Sequence, residues 1–563
     1  MNNMQTALEL TGPGVLAVNA EKPIYPVGPY QALARVEAVG LCFSDIKLLD
    51  QFSEHPRKSA IVAGIDPAVL DDYPAYKPNG LPTVPGHEAV CTIVATGDKT
   101  RHCRLGQRML IQADCRWLKT ARSNGAFGYN IEGGLQQYVL LDERVFVSPD
   151  SVNNLLPVDE KLGRSAVALT EPWACVESAY TSPERQTPLS GGRLLIVLDP
   201  GRDATGLEAF APGRTTCVCG DSVQRRRIAE RFGDVVWCED AARTPDEAFD
   251  DVVYFGSDAA MLEALNDKPA NGGIVNVVLG GRKLARPVSL GVGRAHYSGV
   301  RWIGTPGNDA RDSYAMIPDN GEIRDGERIL VAGAGGPMGQ MHVIRAIGSG
   351  KTNLTLVAAD FDEKRLANLR KKAEPMARSS QADLKWVNPA NDPVDGPFDY
   401  VAIMAPVAAL VAEAIEKSAP HARINIFAGI PAAVRQPIDL NACIERSVFI
   451  IGTSGSRLSD MRRVLDKLAC GRLDTNSSVE AVCGMAGAVE GMAAVEQRAL
   501  DGKIIVYPEL ESMPLISLPD LAARYPEIAA TLDHGRWTLE AENALLTLGR
   551  PLFACGVGAG GLS

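Results

Sequence analysis

The chain has 563 residues, too many for one hydrophobic core, and its 46% hydrophobic and 22% charged residues are ordinary for a soluble protein of two to four domains. Its formal net charge of −11 argues against binding to nucleic acid or to an anionic membrane, because phosphate groups attract basic surfaces. With no signal-peptide pattern, no apolar run long enough to span a membrane, and 12 cysteines scattered in apolar contexts as reduced thiols, the sequence predicts a cytoplasmic protein.

The first part of the chain, up to about residue 150, is predicted to be rich in β-strands. Glycine and proline separate short apolar or alternating runs at 34–39, 89–94, 108–113 and 135–141. From about residue 190 the pattern changes, because continuous apolar runs such as 194–198 and 329–332 alternate with helical segments. This alternation predicts parallel β-α-β architecture, so the expected fold class is α/β.

The second region contains an internal repeat. Phe-Asp-Asp-Val-Val-Tyr at 249–254 resembles Phe-Asp-Tyr-Val-Ala-Ile at 398–403, and each is followed by a helical stretch, a strand and Ile-Gly-Thr. Upstream, Val-Cys-Gly-Asp at 218–221 is matched with Val-Ala-Ala-Asp at 357–360. These matches in the same order predict two tandem, doubly wound, Rossmann-like parallel-sheet units, which we call copy A (190–310) and copy B (326–455).

Copy B opens with a candidate dinucleotide-binding loop. A strand is followed by Gly-Ala-Gly-Gly-Pro-Met-Gly at 333–339 and then by a helical pattern, so backbone amides can approach a pyrophosphate at the helix N-terminus. Asp360 ends the next strand, where a carboxylate accepts a hydrogen bond from the ribose 2′-hydroxyl and repels a 2′-phosphate; NAD is therefore favoured over NADP. The predicted cofactor-binding residues are Gly333, Gly335, Gly336, Pro337, Met338, Gly339 and Asp360.

Copy A differs in the corresponding loop. It keeps Asp221 but places Asp199 and Asp203 where a pyrophosphate would lie, and these acids would repel it. We therefore interpret copy A as a degenerate unit kept for packing, rather than as a second cofactor site.

Three short motifs offer ligands for a catalytic metal ion, at 39–45, 84–88 and 170–175. Catalytic zinc takes three protein ligands among thiolate, imidazole and carboxylate and leaves a fourth position open. Candidate ligands for it are Cys42, His87, Glu88 and Glu171, with Cys175 as a rival for the third position.

These motifs resemble those of the zinc-dependent medium-chain dehydrogenase/reductase superfamily, in particular its polyol and sugar dehydrogenase branch. The family's Gly-Ile-Cys-Gly-Ser/Thr-Asp is similar to residues 40–45, with Phe43 in place of the second glycine, and its Gly-His-Glu to 86–88. Further family segments, Gly-Gly-x-x-x-Tyr, Glu-Pro-Leu and Gly-Lys-x-x-x-x-Pro, are similar to 133–138, 171–173 and 502–508. The resemblance covers about 1–180 and 326–508 and is nearest to the sorbitol dehydrogenase and sorbose-1-phosphate reductase-like group.

The resemblance implies a domain organisation. A GroES-like, β-rich catalytic domain over 1–185 would be completed by 456–511, after copies A and B. Apart from the resemblance, the sequence pattern of 512–563 predicts a tail of amphipathic helices with a glycine-rich end. Medium-chain dehydrogenases often dimerise by joining nucleotide-domain sheets edge to edge. The two copies would then form such a joint within one chain, as an intrachain pseudo-dimer that covers an exposed edge strand. A homo-oligomer is the alternative.

The resemblance also implies roles for individual residues. Cys42 and His87 would bind zinc, Glu88 would bind it or support a ligand, and Glu171 would bind it directly or through water. The catalytic residues would further include Ser44, which would pass the alcohol proton outward, and Asp45, which would orient His87. Many relatives carry a second, structural zinc on four cysteines. Since 114–130 contains only Cys115, we expect one catalytic zinc and no structural site.

The implied reaction is the reversible oxidation of a secondary alcohol on a small polyol or sugar-derived substrate by NAD, with zinc as Lewis acid. Arg116, Lys119 and Arg122 could bind a phosphate on that substrate, although a solvated basic loop is the simpler interpretation. Two alternatives are a non-catalytic nucleotide-binding scaffold that retains the fold, and a zinc-free quinone or enone reductase, which would lack the cysteine and histidine pair.

Overall fold

A computed structural model describes residues 4–553 of the chain. The chain divides into two compact units, the first made of Met1–Ala174 with Ser456–Ser563 and the second of Cys175–Gly455. The first unit therefore contains both the N-terminal and the C-terminal part of the described chain. Every helix among the described residues is too short or too polar to cross a membrane.

The helices and strands follow one another in four segments. The N-terminal segment contains β1 (Met4–Gly12), β2 (Val15–Pro23), β3 (Gln31–Gly40), α1 (Phe43–Gln51), β4 (Ile61–Ala63), α2 (Pro67–Asp71), β5 (Glu88–Thr96), β6 (Arg108–Ile111), β7 (Asp114–Thr120), β8 (Asn124–Ala126), β9 (Tyr138–Asp142), α3 (Glu143–Phe146), β10 (Leu155–Pro157), α4 (Arg164–Ala168) and α5 (Thr170–Thr181). Copy A contains β11 (Arg193–Leu198), β12 (Arg214–Val218), α6 (Ser222–Phe232), β13 (Val235–Cys238), β14 (Phe249–Phe255), α7 (Ala259–Leu265), β15 (Pro269–Val278), β16 (Val288–Gly291), α8 (Arg294–Tyr297) and β17 (Arg301–Thr305). Copy B contains β18 (Arg328–Ala332), α9 (Pro337–Ile347), β19 (Thr355–Ala359), α10 (Glu363–Ser380), β20 (Asp383–Val387), β21 (Phe398–Ile403), α11 (Ala409–Glu416), β22 (Ser418–Ile426), β23 (Arg435–Ile438), α12 (Leu440–Arg446) and β24 (Phe449–Ile451). The C-terminal segment contains α13 (Leu458–Ala469), β25 (Val479–Cys483), α14 (Ala488–Glu496), β26 (Lys503–Val506), β27 (Ile516–Ser517), α15 (Leu518–Arg524), α16 (Pro526–Ala529) and α17 (Leu539–Phe553).

The first unit is built around a mixed sheet in the order β10-β6-β5-β3-β26-β25-β27, with β9 also paired to β3. β3 runs antiparallel to β5 and places Gly40 opposite Glu88. On its other side β3 pairs with β26, so that Ile505 lies opposite Gly40. Strands from both ends of the chain thus bring residues 40, 88 and 503–505 to one place in the sheet.

The C-terminal helix α17 is an integral part of the first unit. Its buried Glu542 accepts hydrogen bonds from the backbone N–H groups of Arg164 (2.6 Å) and Ser165 (2.7 Å), at the start of α4. A carboxylate at a helix N-terminus satisfies amides that have no partner within the helix. The predicted glycine-rich end of the tail lies outside the described residues.

The second unit contains two parallel six-stranded sheets, β13-β12-β11-β14-β15-β17 in copy A and β20-β19-β18-β21-β22-β24 in copy B. Both follow the doubly wound order 3-2-1-4-5-6. The repeated motif pairs with the first strand in the same register in each copy, since Val197 lies opposite Tyr254 and Ala332 opposite Ile403. The structure therefore contains a true repeat of strand order and of register.

The register corrects one predicted correspondence. In copy A the first strand also pairs with the second, and Val197 lies opposite Val218. In copy B the residue equivalent to Val197 is Ala332, which lies opposite Ala359. Asp221 is three residues beyond this point and therefore corresponds to Asp362, not to Asp360. The sequence match was shifted by two residues, because aspartates occupy both position 360 and position 362.

The joint between the copies differs from the predicted edge-to-edge joining of the large sheets. Among the described residues the two six-stranded sheets remain separate in their hydrogen bonding. A two-stranded antiparallel ladder instead connects β16 with β23, and Val288 lies opposite Ile438. One hydrophobic cluster also contains buried side chains from both copies, such as Val275 and Ile424.

Candidate metal and cofactor sites

The loop between β3 and α1 positions Cys42. Its backbone is extended (φ −131°), and its N–H donates to Asp45 Oδ2 at 3.1 Å in the first turn of α1. Asp45 is fully buried, so its carboxylate needs several donors. This hydrogen bond fixes the thiol-bearing residue at the helix N-terminus.

The same carboxylate holds His87. Asp45 Oδ1 lies 3.1 Å from His87 Nδ1 and accepts from the N–H of Gly86 at 3.3 Å. Gly86 has φ +95°, a backbone conformation that favours glycine at this turn before β5. Burial opposes the charged imidazole, but Tyr129 and Asp45 outweigh it and raise the pKa of His87. This contact is the one that the predicted orienting role of Asp45 requires, and the role itself stays a prediction.

Cys42, His87 and Glu88 form a cluster of ligand atoms. Their sulfur, ring nitrogen and carboxylate oxygen all lie within 4.8 Å of one another, and no other such group of three exists among residues 4–553. Glu88 Oε1 accepts from Lys503 Nζ at 2.6 Å, whereas its buried Oε2 has no hydrogen-bond partner in the described chain. A Cβ atom at Gly40 would overlap Oε2, so the sheet leaves room for this oxygen.

An unpartnered buried carboxylate oxygen is costly unless a cation or donor satisfies it. Here it lies beside a thiol and an imidazole, a donor set that fits zinc. Lys503 donates to Glu88 Oε1 alone and leaves Oε2 without a positive partner. Burial lowers the pKa of its ammonium, but Glu88, Cys42 and Glu171 together outweigh burial and raise that pKa.

The remaining predicted residues of this site are placed differently. Glu171 is buried near the cluster but outside the 4.8 Å group. Burial raises the pKa of Glu171, a shift opposed by His87 and reinforced by Glu88. Ser44 is half-buried in the first turn of α1. Cys175 belongs to the second unit. Their predicted roles as ligand, proton carrier and rival ligand stay predictions.

Sequence reasoning missed a group of residues around the cluster. The buried ring of Tyr129 lies 5.6 Å from the His87 ring and is stacked on His55 at 5.1 Å. The guanidinium of Arg57 lies 5.2 Å from the same ring. Of the residues around the cluster, only Lys503 could have been predicted from the sequence. It begins an apolar strand, and a buried lysine requires an acidic partner.

Copy B forms the predicted glycine loop. Gly333 has φ +85°, and the N–H of Gly335 donates to Asp360 Oδ2 at 2.8 Å. Gly336 precedes α9, which begins at Pro337. A Cβ at Gly339 would lie 2.8 Å from backbone atoms of Ala334, so only glycine permits this close approach of helix and loop.

Asp360 is held by two backbone donors. Besides Gly335, the N–H of Asp362 donates to its Oδ1 at 3.0 Å. A carboxylate has about four acceptor positions, so Asp360 can accept further hydrogen bonds from a ligand. The loop and Asp360 together have the shape expected of a dinucleotide site, whereas the role of each residue stays a prediction.

Comparisons with known proteins agree with these features. Residues 28–150 match the family model of the alcohol dehydrogenase GroES-like domain. The protein YggP of Escherichia coli (strain K12) is 29% identical over 244 residues, which is 40% of this chain and 57% of that protein. L-sorbose 1-phosphate reductase of Klebsiella pneumoniae is 27% identical over 238 residues, 40% of this chain and 56% of the reductase. Mannitol-1-phosphate 5-dehydrogenase of Aliivibrio fischeri is 27% identical over 247 residues, 40% of this chain and 57% of its own length.

The chain thus spans a little over half the length of these curated relatives. Among solved structures, 2R,3R-butanediol dehydrogenase from Bacillus subtilis has a TM-score of 0.51 at 13% identity, over 90% of this chain and 99% of that one. That likeness concerns the fold, and the predicted fold class, a GroES-like domain with Rossmann-like parallel-sheet units, is confirmed. These similarities support membership of the medium-chain dehydrogenase/reductase superfamily.

Proposed function

We propose that the protein is a zinc-dependent oxidoreductase that transfers a hydride between a secondary alcohol of a polyol or sugar derivative and NAD. The observation that carries the proposal is the cluster of Cys42, His87 and Glu88, with its unpartnered buried oxygen. A non-catalytic scaffold would have no use for this costly arrangement, and a zinc-free reductase would not need the thiol and imidazole together.

In this proposal Cys42, His87 and Glu88 hold the zinc ion, and Glu171 approaches it through water. When bound, zinc would act as a Lewis acid that favours the ionised form of the substrate alcohol. Asp45 keeps His87 in one orientation through its Nδ1 contact. Ser44, in the first turn of α1, receives the alcohol proton and passes it toward solvent.

Copy B binds the cofactor. The amides at the N-terminus of α9 would hold the pyrophosphate, and Asp360 would accept a hydrogen bond from the ribose 2′-hydroxyl. Its negative charge disfavours a 2′-phosphate, so NAD is the preferred cofactor. Two relatives are named for reactions of phosphorylated polyols or ketoses, which supports a polyol-derived substrate.

The test combines metal analysis with turnover. Cys42→Ala is expected to lose zinc and to abolish NAD reduction with a panel of polyols and sugar phosphates. Cys470→Ala is the matched control, because Cys470 is an exposed cysteine of the same unit. Glu88→Gln and Glu171→Gln distinguish the third ligand, since only the direct ligand should strongly reduce zinc content.

The outcomes also separate the alternatives. Full activity of Cys42→Ala would refute the ligand assignment, and turnover of quinones or enones without metal would support a zinc-free reductase. NAD binding without any turnover by the zinc-loaded protein would support a scaffold.

A further inference from the structure

Two arginines share one carboxylate near the proposed metal site. Arg57 Nη2 donates to Asp114 Oδ2 at 3.3 Å, and Arg116 Nη2 lies 3.9 Å from the same oxygen. Asn124 donates to the other oxygen of Asp114 at 3.3 Å but carries no charge. The group of Arg57, Asp114 and Arg116, which we call the arginine pair, therefore has one excess positive charge.

Two further basic residues, Lys47 and Arg122, act near this positive charge in a chain whose net charge is −11, and Glu54 offsets that of Arg122. His55 lies next to the arginine pair, since its Nδ1 accepts from the N–H of Arg57 at 3.2 Å. The positive charge of Arg57 disfavours protonation of the His55 imidazole. Burial lowers the pKa of His55 to about 4, and Arg57, Lys47 and Arg122 add to the decrease. A cationic patch of this kind favours an anionic ligand.

The arginine pair lies next to the residues proposed to bind zinc. Tyr129 is a neighbour of both Arg57 and His87, with its ring 5.2 Å from the guanidinium and 5.6 Å from the imidazole ring. An anion held here would thus be close to a substrate bound at the metal.

Both arginines are accessible and have donors to spare. Their side chains are 28% and 47% exposed. A guanidinium has five N–H donors. Arg116 uses Nη2 for the carbonyl of Ser456 at 2.7 Å, and Arg57 uses Nη2 for Asp114 and also bonds Tyr129. The remaining N–H groups can form the paired hydrogen bonds that guanidinium groups make with phosphate oxygens.

We propose that Arg57 and Arg116 bind a phosphate monoester on the substrate, so that the enzyme prefers phosphorylated polyols or ketoses to their unphosphorylated forms. This inference rests on the proposed dehydrogenase function. It differs from the phosphate site considered from sequence, since Arg122 lies 3.8 Å from exposed Glu54 and Lys119 is an exposed residue of β7.

The experiment compares substrates and arginine variants. For matched pairs such as mannitol 1-phosphate and mannitol, kcat/KM is measured in the zinc-loaded, full-length protein and in Arg57→Gln, Arg116→Gln and Arg57→Lys. Charge-assisted hydrogen bonds contribute enough that each glutamine variant should lower the preference for the phosphorylated partner about 10- to 100-fold. Arg57→Lys should recover part of the preference, because it keeps the charge but not the planar donor pair.

Arg104→Gln is the matched control, because Arg104 is an exposed arginine of the same unit and its loss changes net charge equally. If Arg57→Gln fails to fold, because Asp114 is left without its nearest partner, the more exposed Arg116→Gln decides alone. Binding of inorganic phosphate and of mannitol 1-phosphate, followed by calorimetry, gives a second readout that needs no turnover.

The outcomes distinguish this inference from the proposed function. Phosphate binding that is lost in Arg116→Gln but kept in Arg104→Gln supports the anion site, even if no alcohol is oxidised. The inference is overturned, while the dehydrogenase function stands, if unphosphorylated polyols are oxidised with equal or greater efficiency than phosphorylated ones and neither glutamine variant changes the ratio of the two efficiencies. Absence of phosphate binding in the unmodified protein overturns it as well.

Discussion

Copies A and B have the same framework and different loops. In both copies the first strand begins at an arginine, Arg193 in copy A and Arg328 in copy B. The backbone N–H of this arginine donates at 2.8 Å to the aspartate of the repeated motif. After the first strand they diverge, because copy B continues into α9, whereas 199–213 of copy A contains only a short 3-10 turn, Leu207–Ala209. Where copy B has Asp360, the register of copy A places Cys219.

The difference shows which features carry the fold and which carry cofactor chemistry. Strand order and register persist in copy A without the glycine loop, the following helix or the ribose carboxylate. Asp199 instead accepts from the hydroxyl of Tyr254 at 2.8 Å, and Arg202 donates to the carbonyl of Val278 at 2.9 Å. These contacts fill the copy A loop with its own side chains, so we expect copy B alone to bind NAD.

The largest expected effect is that of Gly339→Val. Its side chain would overlap the backbone of the glycine loop, and overpacking of this kind costs about 1–3 kcal/mol or displaces the loop. We expect NAD binding, measured by quenching of protein fluorescence, to be lost. Gly220→Val in copy A is the control, because nothing lies within 4 Å of its Cβ position. Equal loss of binding in both variants would refute the assignment of the site to copy B.

Asp360→Ala should change cofactor choice. It removes the acceptor for the ribose hydroxyl and the charge that repels a 2′-phosphate, so the ratio of NAD to NADP affinity should fall roughly 10- to 100-fold. Affinities of both cofactors are measured by titration. Cys219→Ala, at the equivalent place in copy A, should leave the ratio as it is. An unchanged ratio in Asp360→Ala would mean that another residue reads the ribose.

We expect His342 to make copy B sensitive to acid. It is buried on α9, where Tyr180 lies 2.8 Å from its Nδ1, and burial with nearby Arg345 lowers its pKa to about 3. The unfolded chain, with a histidine pKa of about 6.5, binds the proton more readily, so stability is present above about pH 6.5 and is lost as the pH falls, by up to about 1.4 kcal/mol per pH unit.

His342→Phe should therefore flatten the decrease in melting temperature between about pH 7 and pH 5.5, followed by circular dichroism. The exposed His421 provides the control, and His421→Asn keeps a side chain suited to its φ of +62°. If both variants follow the pH profile of the unmodified protein, His342 does not carry the acid sensitivity.

The smallest effects concern the helix caps that the copies share. Asp221 accepts from the N–H groups of Val223 and Gln224 at 2.8 and 3.0 Å, and Asp362 caps α10 in the same way. Each alanine variant should lower stability by about 1 kcal/mol, measured by denaturant unfolding. Very unequal losses would contradict the revised correspondence of these two aspartates.

The sequence predicted the repeat, the glycine loop and the residues of the metal cluster, because short motifs carry each of them. It did not predict the loss of the helix after β11, although Pro212-Gly213 directly before β12 is an interruption that points that way. The two-residue error at Asp221 arose because strand pairing, rather than sequence, fixes the correspondence.

The residues around the metal cluster were harder to predict. Lys503 is 415 residues from Glu88 in the chain, and the two meet only because β26 and β5 pair with opposite sides of β3. Arg57 and Tyr129 meet through folding of the segment between α1 and β9. Such contacts depend on tertiary structure and leave no local pattern.

The most direct test is equilibrium dialysis of zinc and NAD against the unmodified protein, Cys42→Ala and Gly339→Val. We predict one zinc and one NAD per chain, with zinc lost in the cysteine variant and NAD in the glycine variant. Two NAD molecules per chain, or zinc retained in Cys42→Ala, would contradict the account.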